Sequence, residues 1–158
     1  MINDPFTEIL LAGLAAALVT AAVYDLKSRR IPNWLCVTIA VMAPFFWWAT
    51  GTAFYPDALF RIGAAALIFL LFFGIFCVGG MGGGDVKLGT AVALWFPPQL
   101  SLLFIIITSL VGSAVSFGAW VHHHKIMRRT GKTVVPYGVA IAIGGLVILT
   151  QRFLNQFA

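Results

Sequence analysis

The sequence predicts an all-α membrane protein with about six transmembrane helices. Of its 158 residues, 61% are hydrophobic and only 9% are charged, and the mean hydropathy is +0.99. An ordinary soluble domain carries about 25% charged residues, and a chain this apolar lacks the polar side chains to cover a soluble surface. The composition therefore argues against a soluble enzyme, a disulfide-rich secreted protein and a disordered chain.

Six apolar runs are candidates to cross the roughly 30 Å hydrocarbon core of a bilayer as helices. The connections between them hold the prolines, glycines and polar residues that are typical of helix ends. The predicted spans are Glu8–Tyr24, Asn33–Thr50, Arg61–Val78, Asp85–Phe96, Leu100–Val121 and Val134–Thr150. Since no linker separates them, we expect a single transmembrane domain over residues 1–158.

The basic residues predict how the chain is oriented. No Lys or Arg precedes Lys27, whereas Asp4 and Glu8 do, so we expect a permanent first helix rather than a cleaved signal peptide. With the N-terminus outside the cytoplasm, all basic residues except Arg61 and Arg152 fall in inner loops, in line with the positive-inside rule. The inner set is Lys27, Arg29, Arg30, Lys87, Lys125, Arg128, Arg129 and Lys132. The net charge of +5 then indicates contact with anionic phospholipid and no nucleic acid.

The fourth predicted span is too short to cross the membrane. As a helix, Asp85–Phe96 covers about 18 Å at 1.5 Å per residue. Either the glycine run Gly79–Gly84 dips into the membrane, or Pro97 and Pro98 are buried at the other end. Irregular backbone at that depth is tolerated only inside protein or beside water. The first alternative would place Asp85 in a wet cleft.

Two carboxylates reach the same inner face of the membrane, Asp25 at the end of the first span and Asp85 at the start of the fourth. Ionisable residues at membrane depth are costly and indicate function. When two carboxyls lie close together, one tends to keep its proton, so one can act as a base and the other as an acid, as in aspartic proteases. The alternative is that both lie at the interface and the glycines only allow helices to pack.

Other reactive residues predict no metal site and no cofactor. Cys36 and Cys77 lie in apolar runs without CxxC spacing, which indicates core residues rather than a zinc site or a disulfide. The adjacent histidines His122–His124 would point about 100° apart on a helix, a poor geometry for chelation. A loop or interfacial role is favoured for them.

Four short motifs, taken together, resemble the type IV prepilin peptidase family of intramembrane aspartic proteases over nearly the whole chain. They are D-L-K at Asp25–Lys27, I-P-N at Ile31–Asn33, G-G-G-D-V-K-L at Gly82–Leu88 and P-Y-G at Pro136–Gly138. The resemblance implies that Asp25 and Asp85 are the catalytic pair. It also implies a set of substrate-binding or site-shaping residues, namely Lys27, Pro32, Asn33, Gly82, Gly84, Lys87, Pro136, Tyr137 and Gly138.

The same resemblance implies removal of the short leader of a prepilin substrate at the cytoplasmic face of the bacterial inner membrane. The larger bifunctional members carry a CxxC-containing cytoplasmic region and methylate the new N-terminus, and we expect neither that region nor a zinc domain here. The chain looks like the short Tad/Flp-pilus branch, ahead of secretion pseudopilin or archaeal preflagellin processing. Presenilin-type proteases share the GxGD motif, but I-P-N and P-Y-G favour the prepilin enzymes.

Two other classes of function remain open at this stage. A proton-coupled transporter or channel component would use Asp25 and Asp85 as a proton relay and would place them near the midplane. A non-catalytic assembly factor, which holds pilin subunits against its apolar helices, would need neither carboxylate. The oligomeric state is left open by the sequence.

Recognition of the leader is expected to depend on lipid. Prepilin leaders tend to be basic, yet Asp4, Glu8 and Asp57 are all predicted to lie outside, so no acidic patch faces the cytoplasm. We therefore expect anionic head groups to neutralise much of the leader charge and the apolar substrate helix to pack between spans. Small residues that would allow such packing, or that simply pack the protein's own helices, are Gly112, Ser113, Ser116, Gly144 and Gly145.

Overall fold

The structure is a computed structural model that describes residues 5–121 and 137–157, with side chains for residues 5–118 and 137–152. Within these ranges the chain forms six helices and no strand, which confirms the all-α prediction. The helices are α1 (Pro5–Ser28), α2 (Asn33–Ala49), α3 (Leu59–Cys77), α4 (Gly83–Ala93), α5 (Pro98–Val121) and α6 (Tyr137–Phe157).

Three segments are long and apolar enough to cross a membrane, namely Pro5–Ser28, Phe54–Cys77 and Pro98–Gly118. The second comprises α3 and the short irregular turn Phe54–Ala58 that leads into it. Among residues with described side chains, the apolar stretches of α2 and α6 are shorter, Asn33–Ala49 and Tyr137–Arg152, and α4 has only 11 residues. The chain is therefore a membrane protein, while the number of crossings and the orientation stay predictions.

Helix α4 lies at the centre of the bundle, in contact with α2, α3 and α6. Most of its residues are buried, and small residues let the neighbours approach closely. A side chain at Gly89 would overlap the Phe72 ring of α3, and a Cβ at Gly145 of α6 would lie 2.8 Å from Leu18 and 3.4 Å from Val92. These contacts fix α4 between α3 on one side and α1 and α6 on the other.

The end of α4 that leads to Pro97 is closed by protein. Trp95 and Phe96 are buried, and the carbonyls left over at this helix end are used. Trp47 donates its indole N–H to the Leu94 carbonyl, and Arg61 donates to the Trp95 carbonyl, each at 2.9 Å. Such partners are needed because the last carbonyls of a helix have no intrahelical donor. Pro97 and Pro98 themselves are half-buried, so their predicted burial holds only in part. The glycine end of α4 lines a cavity, as described below, and its entry into the membrane stays a prediction.

Some sequence predictions require correction. Helix α4 begins at Gly83 rather than Asp85, so two glycines belong to its first turn. Cys36 is buried as expected, but Cys77 is exposed, so its prediction as a core residue was wrong. The predictions for Asp4, for the stretch 122–132 and for Pro136 lie outside the described residues.

Candidate active site

A cavity of about 350 Å³ lies where α1 ends and α4 begins. Asp25 and Asp85, 60 positions apart in the chain, both line it, and their side chains are only 5% and 7% exposed. The lining residues are Asp25, Arg29, Arg30, Ile31, Asn33, Gly82, Gly83, Gly84 and Asp85. The two predicted carboxyls therefore share one cavity.

Asp85 is positioned by its own helix. It is the third residue of α4, and its Oδ2 accepts a hydrogen bond of 3.2 Å from the backbone N–H of Gly82, which caps that helix. This is the carboxylate half of a capping box. A Cβ at Gly82 would lie 3.0 Å from the same oxygen. The backbone N–H that holds this side chain therefore comes from the same G-G-G-D segment.

Asp25 is positioned by a distant helix. It lies in the last turns of α1, and its Oδ2 accepts a 3.1 Å hydrogen bond from the backbone N–H of Val139, in the first turn of α6. A Cβ at the preceding residue, Gly138, would lie 2.8 Å from this oxygen and 2.9 Å from the carboxyl carbon. The glycine of the P-Y-G motif is therefore required by the Asp25 carboxylate.

The link between α1 and α2 joins the two halves of the cavity. Arg29 has a left-handed backbone with φ of 52°, and its N–H donates to the Asp25 carbonyl at 2.9 Å. This turn directs Ile31 between two glycines. A Cβ at Gly138 would lie 2.8 Å from Ile31 Cδ1, and a Cβ at Gly84 would lie 3.3 Å from Ile31 Cβ. Ile31 thus contacts the backbone beside each carboxyl.

Asn33 and Lys87 meet at the margin of this cavity. Lys87 donates from Nζ to Asn33 Oδ1 at 3.0 Å, and both side chains are exposed. This contact ties the start of α2 to α4 on the outer side of the cavity. These two predicted site residues are therefore neighbours of the carboxyl pair.

Three other predicted residues lie away from the cavity wall. Lys27 is exposed on α1, and Pro32 precedes the first turn of α2. The ring of Tyr137 lies against Gly112 of α5, because a Cβ there would come within 3.2 Å of it. The roles assigned to these residues stay predictions.

The small residues of α5 and α6 pack the protein's own helices. A Cβ at Gly144 would lie 2.5 Å from the Thr108 hydroxyl, and Gly145 faces Leu18. Ser113 and Ser116 bond to carbonyls of their own helix. These small residues were predicted to pack either a substrate helix or the protein's own helices. For Gly112, Gly144 and Gly145 the structure shows packing against the protein's own helices.

Several cavity residues were not predicted. Arg29, Arg30 and Gly83 line it, although none was singled out as a site residue. Arg29 and Arg30 lie between the D-L-K and I-P-N motifs, and Gly83 lies within the glycine motif. This proximity to the motifs is the sequence feature that could have indicated them. Val139 left no signal, because its contact with Asp25 is made by the backbone N–H and any residue other than proline supplies that donor.

Comparison with known proteins identifies related chains. A family model described as the type IV leader peptidase family matches residues 12–117, a range that includes Asp25 and Asp85. The chain is 31% identical over 145 residues to the prepilin peptidase EppA of Methanococcus maripaludis, covering 86% of this chain. It spans 38% of the length of that relative. No solved structure matches the chain.

Proposed function

This chain belongs to the type IV leader peptidase family, and on that premise we propose that it is a membrane-embedded aspartic endopeptidase that removes the leader of a prepilin. The observation that carries the proposal is the pair of buried carboxyls, Asp25 and Asp85, that line one cavity. Each accepts a hydrogen bond from a backbone N–H, which holds it in a defined position.

The chemistry follows from the two carboxyls. Close together and buried, they do not easily both carry charge, so one is ionised while the other holds a proton. The ionised carboxylate takes a proton from a water molecule, and the water oxygen attacks the scissile carbonyl carbon. The protonated carboxyl donates to the carbonyl oxygen. The carbon–nitrogen bond then breaks as the first carboxyl passes the proton it took from water to the leaving amine. The second carboxylate takes a proton back from a hydroxyl of the intermediate, which restores the starting state of the pair.

The wall beside Asp85 suits an extended peptide. Gly82, Gly83 and Gly84 line the cavity next to this carboxyl. Because glycine has no side chain, the backbone of a substrate can approach the wall closely. The glycines therefore leave room for the scissile peptide bond to lie against the carboxyl pair.

The finer features of the proposal concern location and partner. We place the carboxyl pair at the cytoplasmic face of a bacterial inner membrane, within a single transmembrane peptidase domain, and we take Flp/Tad-type prepilins as the substrates. Arg29 and Arg30 line the cavity alongside the two carboxyls. Since the cavity offers no further acidic side chain among its described lining residues, anionic phospholipid is proposed to neutralise a basic leader.

The test is to co-express a candidate prepilin with the wild type, Asp25→Asn or Asp85→Asn, and to follow leader removal by gel mobility and N-terminal sequencing. Asparagine keeps the size of the side chain but cannot act as acid or base. We expect each variant to insert normally and to lose at least about a thousandfold in cleavage rate.

Asp57→Asn is the matched control, because Asp57 is exposed on the turn before α3 and lies away from the cavity. This variant should cleave at the wild-type rate. Cleavage that survives either Asp25→Asn or Asp85→Asn would show that the aspartic mechanism is wrong. A proton-relay transporter, the alternative function, would instead show proton flux that depends on both carboxyls and no leader removal.

A further inference from the structure

A second cavity, of about 380 Å³, adjoins the catalytic one on the side formed by α2, α3 and α4. Its lining residues are Asn33, Cys36, Val37, Ala40, Phe69, Lys87, Thr90, Ala91 and Leu94. We call this cavity the lateral groove. Asn33 lines both cavities, so the groove lies next to the space that holds Asp25 and Asp85.

The groove changes from polar to apolar with distance from the carboxyls. At the shared end, Lys87 and Asn33 are hydrogen bonded to each other. Further along, the Thr90 hydroxyl donates to the Val86 carbonyl of its own helix at 2.8 Å, so its donor is used, and Cys36 is buried. The remaining described lining residues are hydrocarbon. A ligand that fits must therefore be polar at one end and apolar along its length.

The walls set the length of the groove. On α2, Asn33, Val37 and Ala40 follow the i, i+4, i+7 spacing of one helix face, and on α4 the residues at 87, 90 and 94 follow i, i+3, i+7. Seven residues of helix rise about 10 Å, or two turns. Both helices begin at the end near the catalytic cavity, so the groove leads away from it for about two helical turns.

We propose that the lateral groove binds the first two turns of the apolar helix that follows the cleavage site of the substrate, a conclusion that rests on the function proposed above. The extended segment with the scissile bond then passes Asn33 and Lys87 into the catalytic cavity. A polar leader followed by an apolar helix has the same order of polarity as the two cavities, and helix binding in an apolar groove is a common recognition mode. An acyl chain of a lipid is the competing occupant, but it would make no use of the carboxyl pair in the neighbouring cavity.

Two tryptophan substitutions test the groove. Val37→Trp fills the groove from a side chain that is 59% exposed, and Val19→Trp adds the same bulk on α1 at a valine that is 51% exposed and lines neither cavity. We expect Val37→Trp to raise KM for a prepilin peptide about tenfold with kcat nearly unchanged, because it removes binding shared by ground and transition states. Val19→Trp should behave as the wild type. Equal KM values for both variants would overturn the proposal.

Cross-linking gives a readout that does not depend on turnover. In an Asp85→Asn background, with both natural cysteines changed to alanine, single cysteines are introduced by Val37→Cys or Val19→Cys. A prepilin carrying one cysteine is scanned through the first turns of its mature helix. We expect disulfides with Val37→Cys at substrate positions three or four residues apart and none with Val19→Cys.

The outcomes separate the two proposals. If the wild type removes the leader but the Val37→Cys variant forms no disulfide, or forms them no more than the Val19→Cys variant, then the groove is not the docking site and the proposed function stands. If the wild type removes no leader from any prepilin tested, the proposed function fails and the docking proposal fails with it.

Discussion

The two carboxyls of the site are held in different ways. Asp85 is fixed by the N–H of Gly82, three residues earlier at the start of the same helix. Asp25 is fixed by the N–H of Val139, which is 114 residues away on α6. One half of the site is therefore set by a local sequence, whereas the other exists only when α6 is packed against α1. The second half should be the more sensitive to changes in packing.

Among the substitutions that test this difference, Gly138→Ala is expected to reduce the cleavage rate most. The new methyl group would lie 2.8 Å from Asp25 Oδ2, so either the carboxylate or the start of α6 must move. Since displacement of a catalytic group by about 1 Å can cost a hundredfold in rate, we expect a loss of about that size, measured as the rate of leader removal per inserted enzyme. The control is Gly74→Ala on α3, where nothing lies within 4 Å of an added Cβ, and it should retain activity. A fully active Gly138→Ala enzyme would contradict a site that depends on the Val139 contact.

A smaller effect is expected on the Asp85 side. In Gly84→Ala the added Cβ would lie 3.3 Å from Ile31 Cβ, a tight contact that a shift of a few tenths of an ångström relieves. We expect about a tenfold loss of cleavage rate. Gly83→Ala, whose nearest neighbour is the Phe76 ring at 3.5 Å, should lose less. If Gly84→Ala were more damaging than Gly138→Ala, the local half of the site would be the fragile one and the comparison would be reversed.

The smallest effect on the cleavage rate is expected from the exposed pair Lys87 and Asn33 at the margin of the cavity. Lys87→Met removes the hydrogen bond to Asn33, a contact between two exposed groups. Such contacts contribute about 1 kcal/mol or less, so the rate should fall no more than about fivefold. A double-mutant cycle with Asn33→Leu measures the pair directly. Complete loss of cleavage in an inserted Lys87→Met protein would instead show that Lys87 does more than bind Asn33 at the margin of the site.

The sequence predicted both carboxyls, but only the position of Asp85 follows from a local pattern. The helices and the position of Asp85 after three glycines follow from hydrophobic runs and from glycine placement. The Val139 amide, the left-handed turn at Arg29 and the position of Ile31 between Gly84 and Gly138 depend on how distant segments pack. Such contacts leave no pattern of residue types along the chain.

The wrong prediction for Cys77 and the open question of what Gly144 and Gly145 pack against have the same physical cause. In α3, apolar residues surround the helix on all sides, and only Ala65, Ile68 and Phe72 are buried. Hydrophobicity therefore did not distinguish the exposed Cys77 from a core residue. Similarly, small residues such as Gly144 and Gly145 allow close approach by any helix. Only the structure showed that the partners are helices of the same chain.

The hydrogen bond from Val139 to Asp25 also has a consequence for biosynthesis. A ribosome makes Asp25 early and Val139 only 114 residues later, which at about 5–20 residues per second is a delay of about 6 to 23 seconds. During that interval the nascent chain already contains the first carboxylate and, later, the second, but not the backbone donor that orients the first. The order of translation therefore postpones completion of the site until α6 has been made, and a truncated chain that ends before α6 would carry both aspartates without this contact.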